Sequence, residues 1–291
     1  MLAHEIPVRR VSDRQLGWAV TESIRTEGGE RLLPKGGLID EDVLARWPEM
    51  PDGILHLIEL EAGDIHENPA GRRVAEAVTG PGIEIEGPFN SRYNLNSRSR
   101  GLLVVRPNVV HELNAVGDLS LFTRFTDQAV TAGQTVAGVK ATPIVVRESE
   151  VEAIEAIARR TGGPIVDVLP FHARKAAVVA TESLHPRLRE SFEKRVLEKL
   201  GWYGALDCGF TYVDPDREQV ADAIREALDN GVELIMAAGG NTRSVGSSAA
   251  VAGSPRGGDD PLRGTGRPGE HVLGRVGRRC ADLQPGVLLD V

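Results

Sequence analysis

Between Lys175 and Thr242 the spacing of apolar residues alternates between two periods. Lys175-Ala-Ala-Val-Val-Ala180 is a short apolar run of buried-strand type, and it stops at Thr181-Glu182-Ser183 and the turn around His185-Pro186. From Arg187 to Leu200, Leu188, Phe192, Val196 and Leu200 recur four apart beneath a charged face, which predicts an amphipathic helix. Gly204 to Val213 reads as a second strand. Asp214-Pro215 is expected to open the next helix, with the aspartate as cap and the proline at the first helical position. Val220, Ile224, Ala227 and Leu228 form its expected buried face, and Gly231 its stop. Glu233-Leu-Ile-Met-Ala-Ala238 is the third strand, ended by Gly239-Gly240, where the backbone turns sharply or approaches a ligand closely. Strands alternating with helices predict an α/β fold with a parallel sheet, which binds ligands at the carboxyl ends of its strands. Three such ends become candidates together: Thr181, Glu182 and Ser183; Asp214 to Asp216; and Gly239, Gly240, Asn241 and Thr242.

The same pattern divides the chain into four pieces. Residues 1–65 carry strand-like fragments at Ile6-Pro-Val8 and Ala19-Val20-Thr21, a turn between apolar pairs at Leu32 to Ile39, a short helix over Asp40 to Arg46 and a strand over Gly53 to Leu60. His56 on that strand is expected to be a partly buried polar residue in a sheet. Residues 66–170 begin with a helix over Asn68 to Val78 and continue as short strands at Gly101 to Val105, Leu119 to Phe122, Thr135 to Val139 and Pro143 to Val146, spaced as in a small barrel or meander. Glu148 to Thr161 is a helix, expected to connect into the α/β unit of residues 171–245. Asn90 to Arg100, with three arginines and three asparagines, reads as a solvated connection or an anion-binding loop. Residues 246–291 form the last piece. From Arg243 onward there is no lysine and little periodicity, and the Gly-, Arg-, Ser- and Pro-rich composition is that of a linker or disordered segment, a poor source of further strands.

Composition narrows the functional classes. With 291 residues, 41% hydrophobic positions and a mean hydropathy of −0.18, the chain has material for ordinary globular cores. No apolar run reaches the length of a membrane span, no signal-type apolar segment stands at the start, and the cytoplasm is the default compartment. Cys208 and Cys280 are too few and too far apart for a disulfide framework or a metal knuckle, and no metal site is expected from them. A net charge of −8 argues against nucleic acid as the main partner, yet leaves room for a small anion held by glycine-turn amides and helix N-termini.

At Lys175 to Thr242 the order of elements resembles the molybdopterin-binding domain of molybdenum-cofactor biosynthesis: a Val-Val-Ala strand, a helix closing on Leu200-Gly201, a strand running into Val213-Asp-Pro-Asp216, an Ile224-Arg-Glu-Ala-Leu helix, and Glu233-Leu-Ile-Met-Ala-Ala-Gly-Gly240. Upstream, Leu2-Ala-His4, Leu33-Pro-Lys-Gly36, Leu60-Glu-Ala-Gly-Asp-Ile-His-Glu67, Leu113-Asn-Ala-Val116 and Ala132 to Lys140 are similar to the accessory region that precedes this domain in standalone or cytidylyltransferase-associated members. The resemblance covers about residues 1 to 242. It implies a three-layer α/β/α domain, here incomplete, preceded by β-rich accessory domains. It also implies that the pterin and its phosphate sit at the strand ends, with Gly239 and Gly240 in the turn that approaches the ligand and Asn241 and Thr242 donating hydrogen bonds. Thr181, Glu182 and Ser183 fall in the first βα loop, and Asp214 and Asp216 in the second. The first loop lacks the longer acidic, glycine-bearing sequence of the family. Beyond Asn241 the expected acidic residue, helix, strand and Pro-Gly loop are replaced, as an altered reading frame in GC-rich DNA would do.

The function implied is a protein that holds molybdopterin or its nucleotide form during cofactor assembly. The alternative is an enzyme of the pathway, adenylating molybdopterin or inserting molybdate, for which Mg2+ and a carboxylate beside the phosphate would be needed. A second alternative is the related fold attached to nucleotide-recycling amidohydrolases. The partners implied are molybdopterin, other enzymes of the pathway and a second copy of the chain, with no nucleic acid and no membrane.

Overall fold

In the computed structural model, which describes residues 1–181, 183–239 and 288–290, the chain divides into two units, Met1–Pro170 and Phe171–Val291. Both mix helices with sheets. The first unit opens with β1 (Leu2–Pro7), β2 (Ala19–Val20), β3 (Ile24–Arg25), β4 (Arg31–Leu33), the short helix α1 (Glu41–Ala45) and β5 (Ile54–Glu59). β5 lies between β1 and β2 and is antiparallel to both. Asp40 caps α1 by accepting the Val43 N–H at 2.8 Å. Val20, Ile39, Val43, Trp47 and Leu57 close a core over these strands, and the Trp47 indole N–H donates to Val8 O at 2.9 Å. His56 is exposed rather than half-buried. Leu55 and Leu57 take the inward positions of β5, so His56 faces out, 3.5 Å from Glu5 and 3.9 Å from Glu22.

The unit continues through β6 (Asp64–His66), α2 (Glu67–Val78), β7 (Ile83–Phe89), β8 (Arg92–Ser97), β9 (Gly101–Val105), α3 (Pro107–Leu113), β10 (Leu119–Thr123), β11 (Ala129–Val130), β12 (Thr135–Ala141), β13 (Val145–Arg147), α4 (Glu148–Arg160) and β14 (Val166–Pro170). Two sheets, ordered β10-β12-β8-β7 and β11-β9-β14, and the pair β13-β6 surround α2 and α4. Ala70, Val74 and Val78 of α2 meet Val151, Ile154 and Ile157 of α4 in one core with Leu95, Leu103 and Val139. Arg73 ties the helices by donating to Glu148 and Glu155 at 2.8 Å each. α4 is therefore a core helix of this unit and not merely a connector. The Asn90 to Arg100 segment is not simply a solvated connection, because Arg92–Ser97 form β8. Tyr93, Leu95 and Ser97 are buried in alternation with half-exposed Asn94 and Asn96, a period-2 pattern that so few apolar residues conceal. Phe89 pairs with Arg92 across a two-residue turn, Asn90-Ser91, with φ of 50° and 63°.

In the second unit, β15 (Arg174–Ala180), α5 (Pro186–Trp202), β16 (Ala205–Tyr212), α6 (Arg217–Asp229) and β17 (Leu234–Ala238) fall within a few residues of the expected elements. β18 (Leu288–Asp290) adds a strand, and all pairings in the order β16-β15-β17-β18 are parallel. The C-terminal segment, read from composition as a poor source of strands, thus supplies one; the rest of residues 243–291 lies outside the described residues. Phe192, Val196 and Leu200 of α5 cover one face of the sheet at Ala176, Val178 and Met236, whereas Val220 and Ala223 of α6 cover the other at Ala177, Val179 and Ile235. Leu228 is 41% exposed and not part of the buried face. At about 100° per residue it lies at the margin of the stripe centred on Val220 and Ala227, and Ala223 occupies the inner position. Asp214 is not the helix cap. Asp216 is, accepting the Glu218 and Gln219 N–H groups at 3.0 Å each, and Pro215 precedes the helix instead of starting it.

Candidate functional site at the strand ends

The first crossover carries the chain from β15 to β16 on one side, and the second returns it past β15 to β17 on the other. The loops after β15 and β17 consequently diverge, and the ladder runs to the very ends of the strands: Val213 N–H donates to Ala180 O at 3.0 Å and Thr181 N–H to Ala238 O at 2.9 Å. A crevice at such a switch point is where open α/β sheets take ligands. Here it is a cavity of about 300 Å³ with Ala180 and Ala238 at its base, Leu184, Leu188 and Phe192 as an apolar wall, and Arg195 at its border. Leu188 is 62% exposed, although residues one and two turns later pack on the sheet. Arg195 makes no ion pair among the described residues.

A second cavity, of about 350 Å³, shares Leu184 and lies on the β16 side, bordered by Thr181, Ser183, Arg189, Tyr212, Asp214 and Gln219. Arg189 donates to Glu193 at 2.9 Å and stacks 3.8 Å above the Tyr212 ring, whose hydroxyl donates to the same carboxylate at 3.0 Å. Arg189 holds Glu193 below the ordinary glutamate range, whereas burial, and then Glu193 itself, raise the Tyr212 phenol. The guanidinium is thereby fixed in position with its charge balanced.

The structure brings Thr181, Ser183 and Asp214 to one cavity and sets Gly239 beside Thr181. Asp216 stands apart in role, because its carboxylate is occupied with capping α6. Gly239 has φ +138°, and a Cβ there would overlap Thr181 Oγ1 and stand 3.2 Å from Thr181 Cβ. Glycine is required at this position by its neighbour and its backbone angle, independently of any ligand. Glu182, Gly240, Asn241 and Thr242 lie outside the described residues. Among the described residues no group of three or more His, Cys, Asp or Glu side chains is arranged to hold a metal ion. Cys208 is half-buried with its thiol pushed up by burial and by Asp207. No helix among the described residues is long and apolar enough to cross a membrane.

Arg189, Arg195, Tyr212 and Gln219 escaped the sequence reading, which attended to loops. Arg189 sits in the first turn of α5, Arg195 just past its middle and Gln219 in the first turn of α6; both helices begin at the ligand-binding edge of a parallel sheet, so Arg189 and Gln219 in the opening turns carried a signal. In comparison with known proteins, the chain matches no family model and no curated protein.

Proposed function

We propose that the second unit is a three-layer α/β/α molybdopterin-binding domain, and that it holds molybdopterin or its nucleotide form at the carboxyl ends of β15 and β17. The observation that carries this reading is the strand order β16-β15-β17, which puts the switch point at Ala180 and Ala238 beneath an apolar wall with an arginine at its border. The described residues fit the two ends of such a ligand. Leu184, Leu188 and Phe192 offer a surface for a flat heterocycle, and Arg195 offers a counter-charge for a phosphate. Holding the ligand is favoured over adenylation or metal insertion. Either reaction calls for carboxylates free to organise a metal beside the phosphate, and with Asp216 committed to its cap the second loop offers Asp214 alone. Mg2+ belongs only to that catalytic alternative.

Titration of the full chain with molybdopterin, followed by ligand fluorescence, tests the reading. Saturable binding is expected, weakened about tenfold by Arg195→Met through loss of one charge-assisted contact. Leu188→Asp should weaken it further; its 62% exposure makes that variant safe for folding. Parent protein that does not bind molybdopterin, or binding untouched by both substitutions, sinks the proposal.

A further inference from the structure

The first unit contains a separate cavity of about 440 Å³ whose chemistry the strand-end site does not use. Its most unusual resident is Glu67, at the start of α2 and 8% exposed. The carboxylate is pressed against Gly36, where φ is +78° and a Cβ would come within 2.5 Å of Glu67 Oε1. His66, the preceding residue, is held between two backbone partners. Its Nε2 is 2.6 Å from Gly36 O, which can only accept, and its Nδ1 receives the Asn68 N–H at 3.3 Å. Opposite Glu67, the β7–β8 turn presents Ser91 at φ 63°, a conformation for which glycine is the usual choice in a two-residue hairpin. Ser91 Oγ lies 2.5 Å from Asn90 O and is a hydrogen-bond partner of Glu67. Burial, the largest influence, pushes the Glu67 carboxyl up, against the opposing pull of His66, Ser91, Lys35 and Lys140.

Lys35 and Lys140 border the same cavity with exposed side chains that make neither an ion pair nor a side-chain hydrogen bond among the described residues. Two uncommitted cations beside a buried acid leave a local surplus of positive charge in a chain whose net charge is −8. Asn90, Ser91 and Thr142 add hydrogen-bonding groups of both kinds around the opening, with Ile144 and Pro143 beneath. From this placement the geometry points to a second ligand site, in which Lys35 and Lys140 hold the carboxylate or phosphate of a small hydroxylated organic anion and Glu67, Ser91 and Asn90 hydrogen-bond its hydroxyls.

Isothermal titration of the full chain with D-gluconate, glucose 6-phosphate, inorganic phosphate and glucose tests this. Gluconate and glucose 6-phosphate separate the carboxylate from the phosphate-ester source. At least one of the two is expected to bind more tightly than inorganic phosphate and than uncharged glucose. The Lys35→Met/Lys140→Met variant should lose about tenfold or more in affinity for it. Both lysines are exposed, so thermal unfolding of this variant should match the parent. Arg195→Met, in the other unit, should leave this binding intact, which separates failure here from failure of the strand-end proposal. No binding of either organic anion overturns the inference, as does equal binding of glucose or undiminished binding by the double lysine variant.

Discussion

Replacing Gly239 by alanine tests whether the turn after β17 is dictated by its own geometry. The substitution forces a Cβ into φ +138° and into overlap with Thr181 Oγ1. An L-residue in that region costs about 1–3 kcal/mol. Relieving the overlap costs about 1–3 kcal/mol more, because rotating the hydroxyl away still leaves the new Cβ 3.2 Å from Thr181 Cβ. The loss should therefore be about 2–6 kcal/mol, confined to the second unit. Native-state hydrogen exchange is the suitable assay, since it resolves the amides of β15 and β17 from those of the first unit. A second substitution, Thr181→Ala, removes the hydroxyl from the Cβ path and leaves the backbone angle unchanged. The double variant should recover the overlap share, and a coupling of about 1–3 kcal/mol should appear in the mutant cycle. The reasoning is refuted if Gly239→Ala alone leaves protection within about 0.5 kcal/mol of the parent. It is equally refuted if Thr181→Ala restores nothing.

Three further outcomes follow from other parts of the structure. Glu67→Gln should change the pH dependence of stability: with its folded pKa raised, wild-type Glu67 contributes fully below the ordinary glutamate range and loses that contribution as pH rises through the raised value. The variant should hence match the parent in acid and gain on it above that window, as read by urea midpoints across pH, with His66, Lys35 and Lys140 the charged or titratable groups facing the site; parallel curves would contradict the assignment. Asp216→Ala should cost about 1 kcal/mol in chemical denaturation, whereas Asp214→Ala should stay within about 0.5 kcal/mol, and the reverse order would restore Asp214 as the cap. Ile154→Ala, in the core between α2 and α4, should cost about 2–5 kcal/mol, while Leu206→Ala at 81% exposure should be close to neutral.

Much of the second unit was legible along the chain. Unbroken apolar runs and four-residue spacing are local signals, and they placed β15, α5, β16, α6 and β17 because parallel strands buried on both faces and helices packed on one stripe must carry those patterns. The strands of the first unit were harder to see. β8 has a buried face made of Tyr93, Leu95 and Ser97, which composition reads as polar, and β7 alternates isoleucine with glutamate over only a few residues. The cap of α6 was misread by two residues because Asp214 and Asp216 both precede it, and which carboxylate reaches the free amides depends on the path of the loop.

Sequence by itself determined the mixed α/β character, the alternation of elements from Arg174 to Ala238 and the loops that could meet a ligand, since each follows from periodicity within about ten neighbouring residues. Tertiary structure alone decided the order β16-β15-β17-β18, and with it the crevice that joins Ala180 and Ala238 to Leu188 and Arg195. Only tertiary structure likewise brought Glu67, Ser91, Lys35 and Lys140 around one cavity from four separate segments. Strand order and cavity formation are settled by which faces bury one another across long separations, and no local pattern encodes that choice.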